Sequence, residues 1–296
     1  MFKFIAWLFS PIVAVLDFIT KYFKTIVFLS IVFYFTYGSN QDAMNSNSAA
    51  FANLQKIELF GPILSAEKVL EDIEKAKNNE NIKGVLFIVN SPGGAVSPSV
   101  ELMYAIKELR ELKPVVAYAS GTMASGSYYA SIYANKIFAN PGSMIGSIGV
   151  IFQGANVEEL MQKIGIKTQT VKVGSYKEAG TPTRAWNTYE KAELEKVIND
   201  TYDIFIEDVS RARGLKKSDH KVYADAHIFT SRQAKKVGLI DEVGNITAAQ
   251  KYLISLSKVS EPVWHKQDKF DAFMDKLISE VISNFAISLQ GGLKAY

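Results

Sequence analysis

The sequence predicts an α/β domain built on a parallel sheet and held behind an N-terminal transmembrane helix. Three observations carry that prediction. Short apolar runs, "GVLFIVN" from Gly84 to Asn90 and "PVVAYA" from Pro114 to Ala119, read as strands buried on both faces. Segments of helical period separate them, which gives a β-α-β-α-β order. The chain also opens with an apolar stretch in which no charge occurs from Thr25 to Gln41. That run of 17 residues is the lower limit for a helix that spans a bilayer.

The N-terminal elements come first. The run Phe4 to Leu16 is interrupted by Pro11 and ended by Asp17, and reads as a segment lying in the membrane interface. The spanning helix is placed at about 22–38, within an anchor covering 1–38. Lys21 and Lys24 snorkel at one end, and Tyr34 and Tyr37 suit the other interface. Lys3, Lys21 and Lys24 precede the span, whereas Asp42 is the first charge after it. The positive-inside rule therefore puts the N-terminus in the cytoplasm and the rest of the chain on the far side. Residues 39–53, rich in Ser, Asn and Ala, form a tether.

The folded domain is expected over 54–260. Lys56 to Phe60 reads as a strand, and Ser65 to Lys77 as a helix with Ser65 at its N-cap. After the strand Gly84–Asn90, Ser97 is the expected cap of a helix opened by Pro98 and closed by Leu112. The strand Pro114–Ala119 leads to a helix over Ser125 to Ala134 and a short strand, Lys136 to Ala139. "TQTVKV" before Gly174 is strand-like. Asn187 caps a long helix to Arg213, with Leu194, Val197, Ile198, Phe205 and Val209 as its buried stripe. A C-terminal segment, 261–296, carries an amphipathic stretch from Phe270 to Leu289.

Composition excludes several chemistries. With 33 basic and 30 acidic residues the net charge is +3, too balanced for nucleic-acid binding. There is no cysteine, hence no disulfide and no thiolate metal site. His220, His227 and His265 form no metal-binding motif, and no phosphate-binding GxxxxGK[ST] loop occurs. No cofactor and no metal are expected.

The two turns that follow the central strands lie at the carboxyl end of a parallel sheet, where such sheets place ligands. The first is Asn90-Ser91-Pro92-Gly93-Gly94. The second, within "GTMASGSYYAS", presents Ser125 and Gly126. Amides of Gly93 or Gly94 and of Gly126 are candidates to converge on one oxyanion, as acyl transfer requires. Small neighbours would let a peptide backbone reach Ser125. The same features also suit an ordinary connection followed by an N-cap serine. No histidine lies near in sequence, but a lysine acts as a base once burial lowers its pKa from about 10.4 toward 7–8. The candidate is Lys177, in "VKVGSYKEAGTP".

In this order, "NSPGG", "MASGSYYAS", "GSIGVIF", "VGSYKEAGTP" and "HIFTSRQAKKVGLIDEVG" resemble the signal peptide peptidase A (SppA) family of membrane-anchored serine proteases. The likeness runs from about Lys56 to Gly244. The spacing of 52 residues between Ser125 and Lys177 is similar to that of the short bacterial form. The resemblance implies a crotonase/Clp-protease-like ββα spiral and a Ser–Lys dyad, with Ser125 as nucleophile and Lys177 as general base. It implies an oxyanion hole from Gly94, or Gly93, with Gly126, and a lysine-orienting role for Ser147. It further implies a bacterial inner-membrane location with the catalytic domain on the periplasmic side, remnant signal peptides or other apolar peptides as substrates, and self-association. The sequence departs from the family where Ser127 stands in place of a common second glycine, and where the acid Glu178 follows Lys177; Glu178 is expected to face away. A crotonase-like acyl-CoA enzyme and a non-catalytic membrane scaffold are the competing readings.

Overall fold

The computed structural model describes residues 51–265, together with residues 18, 20–25, 27–29 and 32, all of them helical. The expected interfacial segment, most of the tether, part of the expected span, and the amphipathic stretch Phe270–Leu289 lie outside the described residues. Among the described residues no helix is long and apolar enough to cross a membrane. The chain divides into two units, Met1–Ala52 and Asn53–Tyr296.

The second unit is an α/β fold on a mainly parallel sheet. Strands β1 (Leu54–Phe60), β2 (Gly84–Ser91), β3 (Val115–Ala124) and β4 (Lys136–Ala139) pair in chain order, and β7 (Glu242–Val243) adds beside β4. Each of these pairs is parallel. Helix α1 (Glu67–Asn78) links β1 to β2, and α2 (Val96–Leu112) links β2 to β3. The expected run Gly84–Asn90 is apolar throughout because β2 is central: all but one of its residues are buried. On one face Leu54, Leu86, Ile88, Val116, Tyr118 and Phe138 pack with Ala249 and Leu253 of α8 (Ile246–Leu256). Alternation sends Val85, Phe87 and Val89 to the other face, and all three are fully buried. The outer edge of β1 is covered by the returning chain. Asn53 and Leu54 donate to Val263 O at 2.9 and 3.1 Å, and His265 N donates to Leu54 O at 2.7 Å. A covered edge cannot pair with another chain.

Strand β3 is longer than its apolar run suggests, and it changes partner along its length. Val116 to Ala119 pairs with β4, whereas Thr122 to Ala124 pairs with β5 (Met144–Gly146). Strand β6 (Ile228–Thr230) then lies antiparallel on β5. The β2–β3 register slips between Val89 and Ser91, and a single pair, Ser91 with Met123, follows the slip. The second half of β3 thereby carries Ser125 out of the main sheet, at the carboxyl end of the strands.

Several boundaries differ from expectation. Helix α1 begins at Glu67; Ser65 Oγ accepts from Glu67 N at 3.2 Å, making a turn ahead of the helix. Helix α2 begins at Val96 with Ala95 as N-cap, so Ser97 lies inside the first turn. Ala95 is pinned there by its N–H to Ile63 O at 2.8 Å. Helix α3 covers Gly126–Ser131, shorter than expected. Short helices α4 (Glu158–Lys163), α6 (His220–Tyr223) and α7 (Ser231–Lys236) lie between the later elements. The long helix α5 (Thr188–Arg213) follows Asn187 as anticipated, and Glu190 Oε2 accepts from Asn187 N at 2.8 Å. Its stripe is only partly buried: Phe205, Ile206 and Val209 are covered, but Val197 is 53% exposed. The "TQTVKV" segment is not a strand, and Val171 and Val173 are fully exposed. No neighbouring strand among the described residues supplies the ladder that a strand needs.

Candidate active site

Ser125 sits between the end of β3 and the start of α3, with φ 52° and ψ −124°. A non-glycine residue held there costs roughly 1–3 kcal/mol and persists only where its surroundings enforce it. The enforcement is visible. Ser125 N–H donates to Gly146 O at 2.8 Å, and Ser125 O accepts from Tyr129 N at 2.9 Å. The residue after β5, Ser147, also has positive φ, 49°, and donates its N–H to His227 O at 2.7 Å. Ser125 and Ser147 are therefore neighbours through one backbone bond, and both are half-buried.

The glycine turn packs directly on this segment. Gly93 has φ +94°, and a Cβ there would fall 2.7 Å from Gly126 N and 2.8 Å from Ser125 Cβ. A Cβ on Gly126 would fall 2.1 Å from Ser99 Oγ and 3.4 Å from Gly94 N. Only glycine lets the two turns approach this closely. The two glycine amides of the first turn differ. Gly93 N–H donates to Ser91 Oγ at 3.2 Å. Ile63 takes the Gly93 carbonyl and the Ala95 amide, at 2.9 and 2.8 Å, so the intervening Gly94 amide points away from Ile63. Neither Gly94 N–H nor Gly126 N–H has an acceptor among the described residues.

A cavity of about 30 Å³ opens beside Ser125, lined by Val96, Ser99, Tyr129, Val150, Thr201 and Phe205 among others. The α5 side of it is firmly held: Tyr129 stacks on Phe205, centroids 4.2 Å apart, and its hydroxyl donates to Asp208 Oδ2 at 2.5 Å. Burial and the Asp208 carboxylate push the Tyr129 phenol far above its ordinary range, so it stays protonated. Sequence reading missed Thr201, Tyr129 and Ser99 as parts of this site, and named Phe205 only as core. Their signal is helical phase relative to Ser125, which becomes specific once α5 is known to lie over α3.

Lys177 does not line that cavity. It lies in a turn after Gly174, is exposed, and its side chain makes no hydrogen bond or ion pair among the described residues. Its neighbour Glu178 is held by Lys172 and by Arg184, the latter at 3.1 Å. Arg184 also makes a two-pronged contact with Glu190, at 2.8 and 2.9 Å. The Glu190 side chain is fully buried, and the Arg184 guanidinium beside it, with the Asn187 amide, holds its pKa down at about 2. The Glu178 carboxyl is likewise held below its usual range by Lys172 and Arg184.

A family model described as peptidase family S49 matches residues 107–260. The chain belongs to peptidase family S49. A candidate protease of Methanocaldococcus jannaschii is 43% identical over 194 residues, covering 66% of this chain and 61% of that protein. A candidate protease of Synechocystis is 34% identical over 209 residues, covering 69% of this chain and 74% of that protein. A candidate signal peptide peptidase SppA of Enterococcus faecium is 33% identical over 179 residues, covering 60% and 52%. The likeness to the SppA family read from the motifs thus agrees with an S49 domain. The alignments span from about half to three quarters of these relatives' own lengths.

Proposed function

We propose that the protein is a membrane-anchored serine endopeptidase in which Ser125 attacks a peptide carbonyl and Lys177 of a neighbouring copy is the base. The observation that carries the reading is the strained Ser125 beside two unpaired amides, Gly94 and Gly126. Neutral Lys177 Nζ removes the Ser125 proton as Oγ bonds to the carbonyl carbon. The two amides donate to the resulting oxyanion. The C–N bond then breaks, and the lysine ammonium protonates the leaving amine. Water, deprotonated in turn by the lysine, attacks the acyl-serine; the C–Oγ bond breaks as the lysine ammonium returns the proton to Ser125 Oγ, and the acid product leaves. Ser147 holds the lysine in line. The Gly93 amide, engaged by Ser91, shapes the turn.

The second-copy assignment rests on the stretch 151–177. None of its residues is buried. It nevertheless carries Ile151, Phe152, Leu160, Ile164, Ile166, Val171, Val173 and Tyr176, all exposed. An apolar surface of this extent marks a contact with another molecule, and Lys177 lies at its end. Burial against the next copy would strip water from the amine. The uncharged run Thr25–Gln41 supports the anchor, with the domain on the periplasmic side of a bacterial inner membrane. The apolar walls of the cavity, Val96, Val150 and Phe205, support apolar peptides such as remnant signal peptides as substrates.

A fluorophosphonate probe and a fluorogenic apolar peptide test this. Wild type is labelled at Ser125 and cleaves; Ser125→Ala and Lys177→Ala each lose at least about 1,000-fold in kcat/KM. Equal mixing of the two inactive variants, with subunits allowed to exchange, restores about a quarter of wild-type activity, because half the serines and half the lysines are intact in a head-to-tail contact. No recovery on mixing would place both groups of the dyad in one chain, and cleavage by Ser125→Ala would end the serine reading.

A further inference from the structure

We propose that Ser127 is a positioning residue: its buried hydroxyl fixes the distance between the glycine turn and the nucleophile turn, and so the shape of the oxyanion site. The inference rests on the peptidase reading above. Ser127 is fully buried and touches no substrate. Its Oγ lies 2.7 Å from Ser91 O, the nearer of two acceptors for its proton (Ala124 O is at 2.9 Å), and accepts from Ala124 N at 2.9 Å. One hydroxyl therefore joins the residue that opens the glycine turn to the residue before the nucleophile.

The join matters because the sheet stops supplying one. After the register slip at Val89 only the Ser91–Met123 pair remains between β2 and β3. Pro92 has no N–H to donate. Beyond that point the glycine turn is held by Ile63 on its far side and by Ser91 Oγ from within, and neither contact reaches the Ser125 turn. The Ser127–Ser91 bond does. Its two ends lie one residue from Gly126 and three from Gly94. Removing the hydroxyl leaves the Ser91 carbonyl and the Ala124 amide buried without that partner. The turns must then shift, by water entry or by rotation of a peptide, to satisfy them. A displacement of even 1 Å between catalytic donors is felt in turnover. Ser127 lies on α3 but acts on a turn 36 residues upstream.

The test uses the full-length protein in membranes or detergent. Ser127→Ala and Ser127→Gly are expected to lower kcat about 10- to 100-fold while KM stays within about twofold. The affinity for a peptide boronate, whose tetrahedral adduct places an oxygen in the oxyanion site, falls in step with kcat; affinity for a ground-state peptide does not. Ser127→Cys, of nearly the same size but a weak donor, falls between wild type and Ser127→Ala and carries the test if the smaller side chains impair folding. Ser91→Ala combined with Ser127→Ala costs less than the sum of the two, since both hold one turn. A kcat for Ser127→Gly within twofold of wild type, or a loss confined to thermal stability, overturns the inference and leaves the peptidase reading intact. Wild-type hydrolysis that survives Ser125→Ala overturns the reading itself and this inference with it.

Discussion

The two halves of the proposed catalytic pair come from opposite kinds of structure. Around Ser125 the chain is closed on itself. Ser91, Ser99, Ser127 and Ser131 are all buried, and every one of their hydroxyls is hydrogen-bonded, to Gly93, Ala95, Ser91 and Ser127 respectively. Around Lys177 the chain is open: from residue 151 to 177 nothing is buried, although the segment carries large apolar side chains such as Ile151, Ile164, Val171 and Val173. The proposed nucleophile and its amides are thus held within one chain, whereas the proposed base lies on an open surface. Precision resides where polar groups are satisfied locally, and the exposed apolar area is where the proposed contact with a neighbouring copy would form.

The largest expected effect breaks the open side. Val171→Asp with Val173→Asp places two charges on a surface proposed to become buried, where unpaired charges are strongly disfavoured. In the isolated chain both positions are fully exposed, so monomer stability changes by no more than about 0.5 kcal/mol. Activity is expected to fall at least about 100-fold with loss of the native assembly, read by native mass measurement alongside peptide hydrolysis. A variant that keeps both its assembly and its activity would show that this stretch is an ordinary surface loop.

The closed side breaks differently. Gly93→Ala adds a Cβ within 2.8 Å of Gly126 N, Ala124 O and Ser125 Cβ, at a φ of +94°. The expected cost is about 1–3 kcal/mol from the backbone conformation alone, with overlap adding to it. Thermal denaturation should show a clear loss, and labelling of Ser125 should slow in parallel. Normal stability with slow labelling would mean that the turn relaxes and only the amides move.

These contrasts also explain what could be read from the sequence. Strands β2 and β4 and the start of α5 were legible because their signals are local: an apolar run, a short apolar segment, and Asn187 three residues before Glu190. Ser97 and Ser65 were misplaced as caps because the α2 start is set by Ala95 pairing with Ile63, a contact across the fold, and because Ser65 Oγ serves a turn instead. "TQTVKV" has strand chemistry, but among the described residues no strand pairs with it. The motif residues Ser125, Gly126, Gly94 and Ser147 could be named from spacing and resemblance. Ser127 could be noticed only as a departure, since its hydroxyl acts on Ser91, far away in sequence. Val197, assigned to a buried stripe from its period, lies in the stretch of α5 between Glu190 and Phe205 where no residue is buried.

The smallest effect sharpens the comparison at the point where the open segment is rooted. Arg184 bridges Glu178, beside Lys177, to Glu190 at the start of α5. The Glu190 pKa is about 2 in the fold against 4.5 for a free carboxyl, and that of Glu178 is also depressed. A depressed carboxyl stabilises the fold fully above the unfolded pKa and loses that contribution as pH falls through the folded one. The melting temperature should therefore decline between about pH 4.5 and pH 2. Glu190→Gln should melt lower than wild type at neutral pH, and the gap should close across that same window. A gap that stays constant with pH would assign the Glu190 contribution to packing and hydrogen bonding alone. Because the clamp fixes the root of the Lys177 segment, and Lys177 is the proposed base for any attack by Ser125, Ser125 labelling and peptide turnover at neutral pH should fall together in this variant.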